Sequence, residues 1–375
     1  MIESDAARLR SISARSIAVI LAGQSPSGAY VASPTFPVYR YSWLRDGAFI
    51  ADAMSRAGEV ASAEAFFGWC AGVLESRTDQ VDRLIARARA GDIIAAVDHL
   101  HTRYTLDGEE SAAEWWNFQL DGYGAWLWAL GEHHGRHGRS VAQFVGGAQV
   151  SARYVEAFWP EASYDWWEER PEQRHVSTLA ALSAGLHGIA GLPGVDAASA
   201  TGFETTAGAI RAVLSAESDR LGYLPKWLGG DAIDASVLAV AAVFKVFDPN
   251  EPVVRATVER IEAQLVHGGG VHRYLTDTFY GGGEWLLLAG FLGLQYAATG
   301  RIEAAARQLA WIAGHATADG LLPEQVADHL LAPDRRAEWL ARWGPVATPL
   351  LWSHAMYLSL AVELSIVPSG AGSVS

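Results

Sequence analysis

Two adjacent carboxylates, Glu168 and Glu169, follow two adjacent indoles, Trp166 and Trp167, in the stretch Tyr164-Asp165-Trp166-Trp167-Glu168-Glu169-Arg170, which Pro160 and Pro171 bracket. An acid side chain beside large apolar surface has its pKa raised, so it can stay protonated near neutral pH and donate that proton. A second carboxylate next to it, if ionised, adds to the effect, because like charges resist joint ionisation. Flat aromatic side chains also suit the apolar faces of sugar rings. The bland alternative is a surface loop with two solvated acids and two tryptophans anchored in the core.

The elements that must position this stretch are helical. Amphipathic runs predict helices at 5–23, 45–57, 60–76, 119–135, 139–158, 174–188, 195–216, 231–245, 251–265, 284–298, 301–315 and 348–366, with a further short one near 80–90. Asp231 and Pro252 mark starts, and Gly58 and Gly300 sit where C-terminal caps belong. Short connections of about two to six residues alternate with connections of about a dozen to forty. Twelve helices joined in that rhythm predict an all-α fold, an (α/α)6 barrel of six hairpins whose long links emerge on one rim. Tyr39, Trp43, Arg45 and Asp46 fall on the first link, and Trp115, Trp116 and Gln119 on the second. The opening stretch fills the third, Trp227 is in the fourth, Arg273 and Asp277 are in the fifth, and Glu324, Trp339 and Trp343 are in the sixth. Indoles and carboxylates on one rim outline a carbohydrate site.

Bulk properties limit the partners. A net charge of −14 argues against nucleic acid or an acidic membrane surface. The single cysteine, Cys70, excludes a disulfide framework within the chain and favours a reducing compartment. No secretory signal opens the sequence, and the apolar runs near 235–244 and 285–296 are too short to span a bilayer. The expectation is a cytoplasmic protein folded as one domain over 1–375, with a Gly/Ser-rich tail after about 368. Fifteen tryptophans need a use beyond packing.

Six segments, in order, carry a family resemblance: Tyr39 through Gly47, Trp115 through Gly122, Asp165 through Glu169, Arg273-Tyr274 with the later Gly-Gly-Gly-Glu-Trp285, Leu322-Pro323-Glu324-Gln325, and Trp352-Ser353-His354-Ala355. Together they resemble the glucoamylase-like glycoside hydrolases of family 15. The resemblance implies an (α/α)6 barrel that removes glucose from the non-reducing ends of α-glucosides with inversion. It also implies Glu168 as general acid and Glu324 as general base. By the same resemblance Arg45 and Asp46 hold the hydroxyls of the terminal glucose, and Tyr39, Trp43 and Arg273 line that subsite. Trp115, Trp167 and Glu169 then shape the space beyond the cleaved bond. Inversion needs one protonated and one ionised carboxyl, roughly 6.5–9.5 Å apart, with water between. No metal or cofactor enters that chemistry.

With no accessory module among these helices, the pattern is most similar to stand-alone members acting on isomaltose or related α-1,6-glucosides. Maltooligosaccharide and trehalose hydrolysis are the rival activities, and a non-catalytic carbohydrate-binding barrel is the rival class. Histidines in Asp98-His99-Leu100-His101 and His133-His134-Gly135-Arg136-His137 raise the question of a metal. The second group is expected at a helix end near Gly135, solvated and complementing the dipole.

Overall fold

The computed structural model describes residues 3–111 and 113–370; of the tail expected after 368, residues 371–375 lie outside the described residues. Fourteen α-helices occur among the described residues: α1 (Glu3–Ala22), α2 (Leu44–Arg56), α3 (Val60–Glu75), α4 (Thr78–Arg89), α5 (Asp121–His137), α6 (Val145–Phe158), α7 (Val176–Ala190), α8 (Ala197–Leu221), α9 (Ala239–Ala242), α10 (Pro252–Leu265), α11 (Leu286–Ala298), α12 (Ile302–Gly314), α13 (Arg336–Trp343) and α14 (Leu351–Glu363).

Helices α2, α5, α7, α9, α11 and α14 each touch the next, and α14 returns to α2, so they close an inner ring. Their apolar residues lie on every side, as a helix buried all round requires. The outer helices α1, α3, α6, α8, α10 and α12 carry one apolar stripe each and pack on that ring. This is the expected (α/α)6 barrel. Helices α5 and α7 meet backbone to backbone at Gly124 and Gly185: a Cβ on Gly185 would lie 2.3 Å from the Gly124 carbonyl oxygen, so the crossing demands glycine. Phe49 of α2 plugs the barrel axis, with its ring centroid 5.0 Å from Trp352, 5.3 Å from Phe291 and 5.5 Å from both Trp128 and Trp166.

Two elements depart from the sequence expectation. The helix expected at 231–245 is a 3-10 turn, Ala235–Leu238, followed by the single turn of α9. Its cap is Asp234, whose carboxylate accepts the Ser236 N–H, and not Asp231. Helix α13, inside the sixth link, was not expected.

All six long links precede inner helices, and short ladders stitch them in pairs. Strand β1 (Ser42–Trp43) joins β2 (Arg103–Tyr104), tying the first link to the second. A bridge between His175 and Trp227 ties the third to the fourth. Within the fifth, β3 (Val266–His267) pairs with β4 (Gly270–Val271), and β5 (Glu284–Trp285) joins β6 (Gln325–Val326) of the sixth. Among the described residues no helix is long and apolar enough to cross a membrane.

Candidate active site

Five of the six stitched links line a cavity of about 250 Å³, the fourth standing behind it. All ten residues singled out in the sequence line it: Tyr39, Trp43, Arg45, Asp46, Trp115, Trp167, Glu168, Glu169, Arg273 and Glu324. Its floor is Trp166 and Trp352, seated on Phe49.

Glu168 is held by residues from other links, not by its own neighbours. Its Oε1 accepts hydrogen bonds from the Trp43 indole (2.9 Å), the Trp115 indole (2.9 Å) and the Gln119 amide (3.1 Å). All three partners fall on Oε1, which leaves Oε2 to the cavity. Trp166 and Trp167 line the same cavity but make none of these hydrogen bonds. Trp166 packs downward on Phe49, and the Trp167 indole turns to the Asp234 carboxylate, at 2.9 Å.

The loop carrying Glu168 is knotted around Asp165. The Asp165 carboxylate accepts the backbone N–H groups of Trp167 and Glu169, both at 2.9 Å, and its own carbonyl accepts that of Glu168 at 3.0 Å. Within this knot Glu168 takes φ +64° and Arg170 φ +51°, a left-handed backbone that non-glycine residues adopt at a cost. Buried Lys226 fastens the knot: its ammonium lies 3.3 Å from Asp165 and 3.0 Å from Asp234. Glu169 accepts a hydrogen bond from the Tyr274 hydroxyl, at 2.5 Å, and lies 3.9 Å from Arg273.

Glu324 occupies a different environment. It is 3% exposed, its Oε1 accepts one hydrogen bond, from Tyr39 at 3.1 Å, and its Oε2 is buried without a partner. Burial pushes its carboxyl up to about 8, against the opposing pull of the Tyr39 hydroxyl and the Arg273 guanidinium. Tyr39 and Trp43 pack edge to face at 5.7 Å, so one aromatic pair connects the partners of the two glutamates.

Arg45 and Asp46 enter at the start of α2, next to the pocket floor. Arg45 donates to Gln119 at 2.9 Å and faces Asp121 at 3.4 Å, while its Nε and the Oδ2 of Asp46 face each other as a buried ion pair at 3.4 Å and make no hydrogen bond. Burial raises Asp46 to about 6, with Arg45 opposing. Orphaned donors and acceptors clustered on a cavity wall are what a polyhydroxyl ligand satisfies. Arg273 donates through Nε and Nη2, one edge of its guanidinium, to both oxygens of Asp277 and stands among the rings of Trp167, Phe279 and Trp285, at 5.0–5.2 Å. It thus both lines the cavity and anchors its own loop.

Trp339 and Trp343, placed on the sixth link by the sequence, form one wall with Phe279 and Arg342, which were not foreseen; Trp339, Arg342 and Trp343 come from α13. The usable signal for Lys226 was composition, since the chain has two lysines, Lys226 and Lys245, and otherwise uses arginine for its cations. The histidine groups lie away from this cavity. The helix runs past Gly135 to a cap at Gly138, and His133 is buried, not solvated, with its Nδ1 2.9 Å from the Ser55 hydroxyl. His99 is likewise buried, stacked 3.7 Å from Phe118.

The family model "Glycosyl hydrolases family 15" matches residues 7–311. The chain belongs to glycosyl hydrolases family 15. It is 48% identical over 368 residues, covering 97% of this chain and 95% of the relative, to isomaltose glucohydrolase from Kribbella flavida. A trehalase from Mycolicibacterium smegmatis is 28% identical over 294 residues, which cover 68% of this chain but 41% of that protein. Among solved structures, a glycosidase in complex with glucose superposes with a TM-score of 0.95 at 46% identity, covering 98% of this chain and all (100%) of that one. A bacterial glucoamylase complexed with acarbose gives 0.75 at 19% identity, covering 95% of this chain and 56% of that one, a likeness of fold. As a family 15 glycoside hydrolase, the chain has its carboxylates, orphaned polar atoms and indoles gathered at the rim where the barrel's long links meet.

Proposed function

We propose that the protein is an inverting, exo-acting α-glucoside hydrolase that releases β-glucose from the non-reducing end of short α-1,6-linked oligosaccharides, with isomaltose the preferred substrate. The observation that carries the substrate class is the 48% identity with isomaltose glucohydrolase over 97% of the chain, joined to a cavity of about 250 Å³ walled by α13. The whole of 1–375 acts as one catalytic domain.

In this reading the terminal glucose sits over Trp166 and Trp352, and its hydroxyls satisfy Arg45 Nε and Asp46 Oδ2. Glu168 carries its proton on Oε2, the oxygen free of donors, and passes it to the glycosidic oxygen. Glu324 Oε2 accepts the proton of the attacking water from the opposite side, and the C1–O bond breaks as the new one forms with inversion. Arg273 and Tyr39 favour the ionised form of Glu324, and a water donating to Oε2 favours it further. Tyr274 and Arg273 hold Glu169 beside the departing sugar.

One observation favours a second reading with the roles exchanged: burial makes Glu324 the carboxyl that holds its proton to about pH 8. α-Glucosyl fluoride separates the two, because fluoride leaves without being protonated. Under the proposed roles, Glu168→Gln loses isomaltose hydrolysis but keeps fluoride hydrolysis, and Glu324→Gln loses both. Exchanged roles give the reverse pattern. Proton NMR that showed α-glucose as the first product would refute inversion, and absence of glucose release from any α-glucoside would leave a carbohydrate-binding barrel.

A further inference from the structure

Of the motif Trp352-Ser353-His354, at the start of α14, only the indole lines the catalytic cavity. The other two side chains hold the turn that carries Glu324. Nε2 of His354 accepts the Leu322 N–H at 3.0 Å, and the Ser353 hydroxyl donates to the Pro323 carbonyl at 2.8 Å. Backbone groups take the rest: the Leu322 carbonyl accepts the Leu350 N–H, the Glu324 N–H donates to the Ala347 carbonyl, and the Glu324 carbonyl accepts the Leu286 N–H. Every backbone donor and acceptor from Leu322 to Glu324 is engaged, so the turn has one position. Ser353, His354 and Leu322 are fully buried, where a lost bond leaves its partner unsatisfied.

The same bonds fix the state of the imidazole. A backbone N–H can only donate, so Nε2 holds a lone pair and the ring proton sits on Nδ1, 2.9 Å from the Ser16 hydroxyl of α1. A second proton, on Nε2, would oppose the Leu322 N–H. Burial, with the nearby charge of Arg15, pushes His354 down to about 3, so the ring stays neutral.

Resting on the glucosidase reading above, we infer that His354 and Ser353 are positioning residues for the general base. Neutral His354, seated on Ser16, and Ser353 set the backbone from which Glu324 meets Tyr39 and the attacking water.

The test separates the two ring nitrogens. Glutamine at 354 puts an acceptor near the place of Nε2, and asparagine reaches only that of Nδ1. His354→Asn is expected to lower kcat on isomaltose, per folded protein, about thirtyfold, with KM changed less than about threefold. Its acidic limb should move to higher pH as Glu324 slips from the Tyr39 hydroxyl. His354→Gln restores kcat to within about threefold of wild type and the limb to its place. Ser353→Ala costs about fivefold, with the same direction of shift, and decides the matter if His354→Asn does not fold. A role in folding alone lowers the yield of folded protein without moving the limb. Equal kcat losses in the asparagine and glutamine variants, or an unmoved limb in His354→Asn or Ser353→Ala, overturn the inference and leave the glucosidase reading intact. Independently of activity, a nitrogen-15 histidine spectrum should show a ring protonated on Nδ1 alone, untitrated between about pH 5 and pH 8 and lost in His354→Gln; a His354 proton on Nε2 overturns the inference. A wild-type protein that releases glucose from no α-glucoside refutes the glucosidase reading, and the inference falls with it.

Discussion

The loop bearing Glu168 and the turn bearing Glu324 solve opposite problems with the same side chain. The first grips its carboxylate: three N–H donors converge on one oxygen, and the backbone is held at φ +64° by an aspartate knot. The second strips its carboxylate bare, with a single hydroxyl donor, an unpartnered oxygen and 3% exposure. The contrast teaches that one barrel rim can hold one carboxylate by many donors and another by burial: at Glu324 burial outweighs the single hydroxyl donor that offsets part of its penalty. The gripped side chain is fixed in place; the bare one is left reactive toward whatever fills the cavity.

The largest expected effects break the pair itself. Replacing either glutamate by glutamine should reduce kcat on isomaltose by about a thousandfold or more. One stability effect should depend on pH. A carboxyl raised to about 8 in the folded state, against about 4.3 unfolded, makes the fold lose stability as pH rises through that window, since the unfolded chain gives up its proton first. Glu324→Gln removes that loss, so its melting temperature should exceed the wild type's by more at pH 8 than at pH 5. An equal difference at both pH values in calorimetry would refute the burial of a protonated Glu324.

Next in size is the fastening of the gripped loop. Lys226→Met leaves Asp165 and Asp234 buried without their shared cation, a change worth about 3–5 kcal/mol of stability. Because Asp165 organises the turn that aims Glu168, kcat on isomaltose should fall about a hundredfold with a smaller change in KM. The same variant should lose less on α-glucosyl fluoride, which needs no aimed proton. Equal losses on both substrates would assign Lys226 to folding alone.

Much of this molecule was legible before any coordinates, and the illegible parts share a cause. Eleven of the twelve expected barrel helices form near their predicted positions, because an inner or outer helix of a barrel must show its buried face in the sequence. The eighth fails as an α-helix because 235–244 is apolar nearly throughout, and periodicity cannot choose a period without polar gaps. Helix α13 was missed for another reason. It has eight residues, so Trp339, Leu340 and Trp343 mark little more than one apolar turn, although its tryptophans wall the cavity. The ten site residues were readable because each sits in a local motif. Their partners were not: that Trp43, Trp115 and Gln119 meet on one oxygen of Glu168 depends on two stitched links folding over a third.

The smallest effects sharpen the comparison one hydrogen bond at a time. Tyr39→Phe deletes the single donor to Glu324, and Trp115→Phe is replaced in its role by two remaining donors to Glu168. The signs are fixed. Losing the Tyr39 hydroxyl removes a group that favours ionised Glu324, so its pKa rises further and the fraction in basic form at neutral pH shrinks. The acidic limb of the kcat/KM profile should therefore move to higher pH, and activity at pH 7 should fall about tenfold for a shift of one unit. Trp115→Phe keeps the aromatic face toward the sugar and leaves two donors on Oε1, so a loss of only about threefold is expected, without a displaced acidic limb. A Trp115→Phe profile whose acidic limb moved as far as that of Tyr39→Phe would mean that this limb does not report Glu324 and its hydroxyl donor.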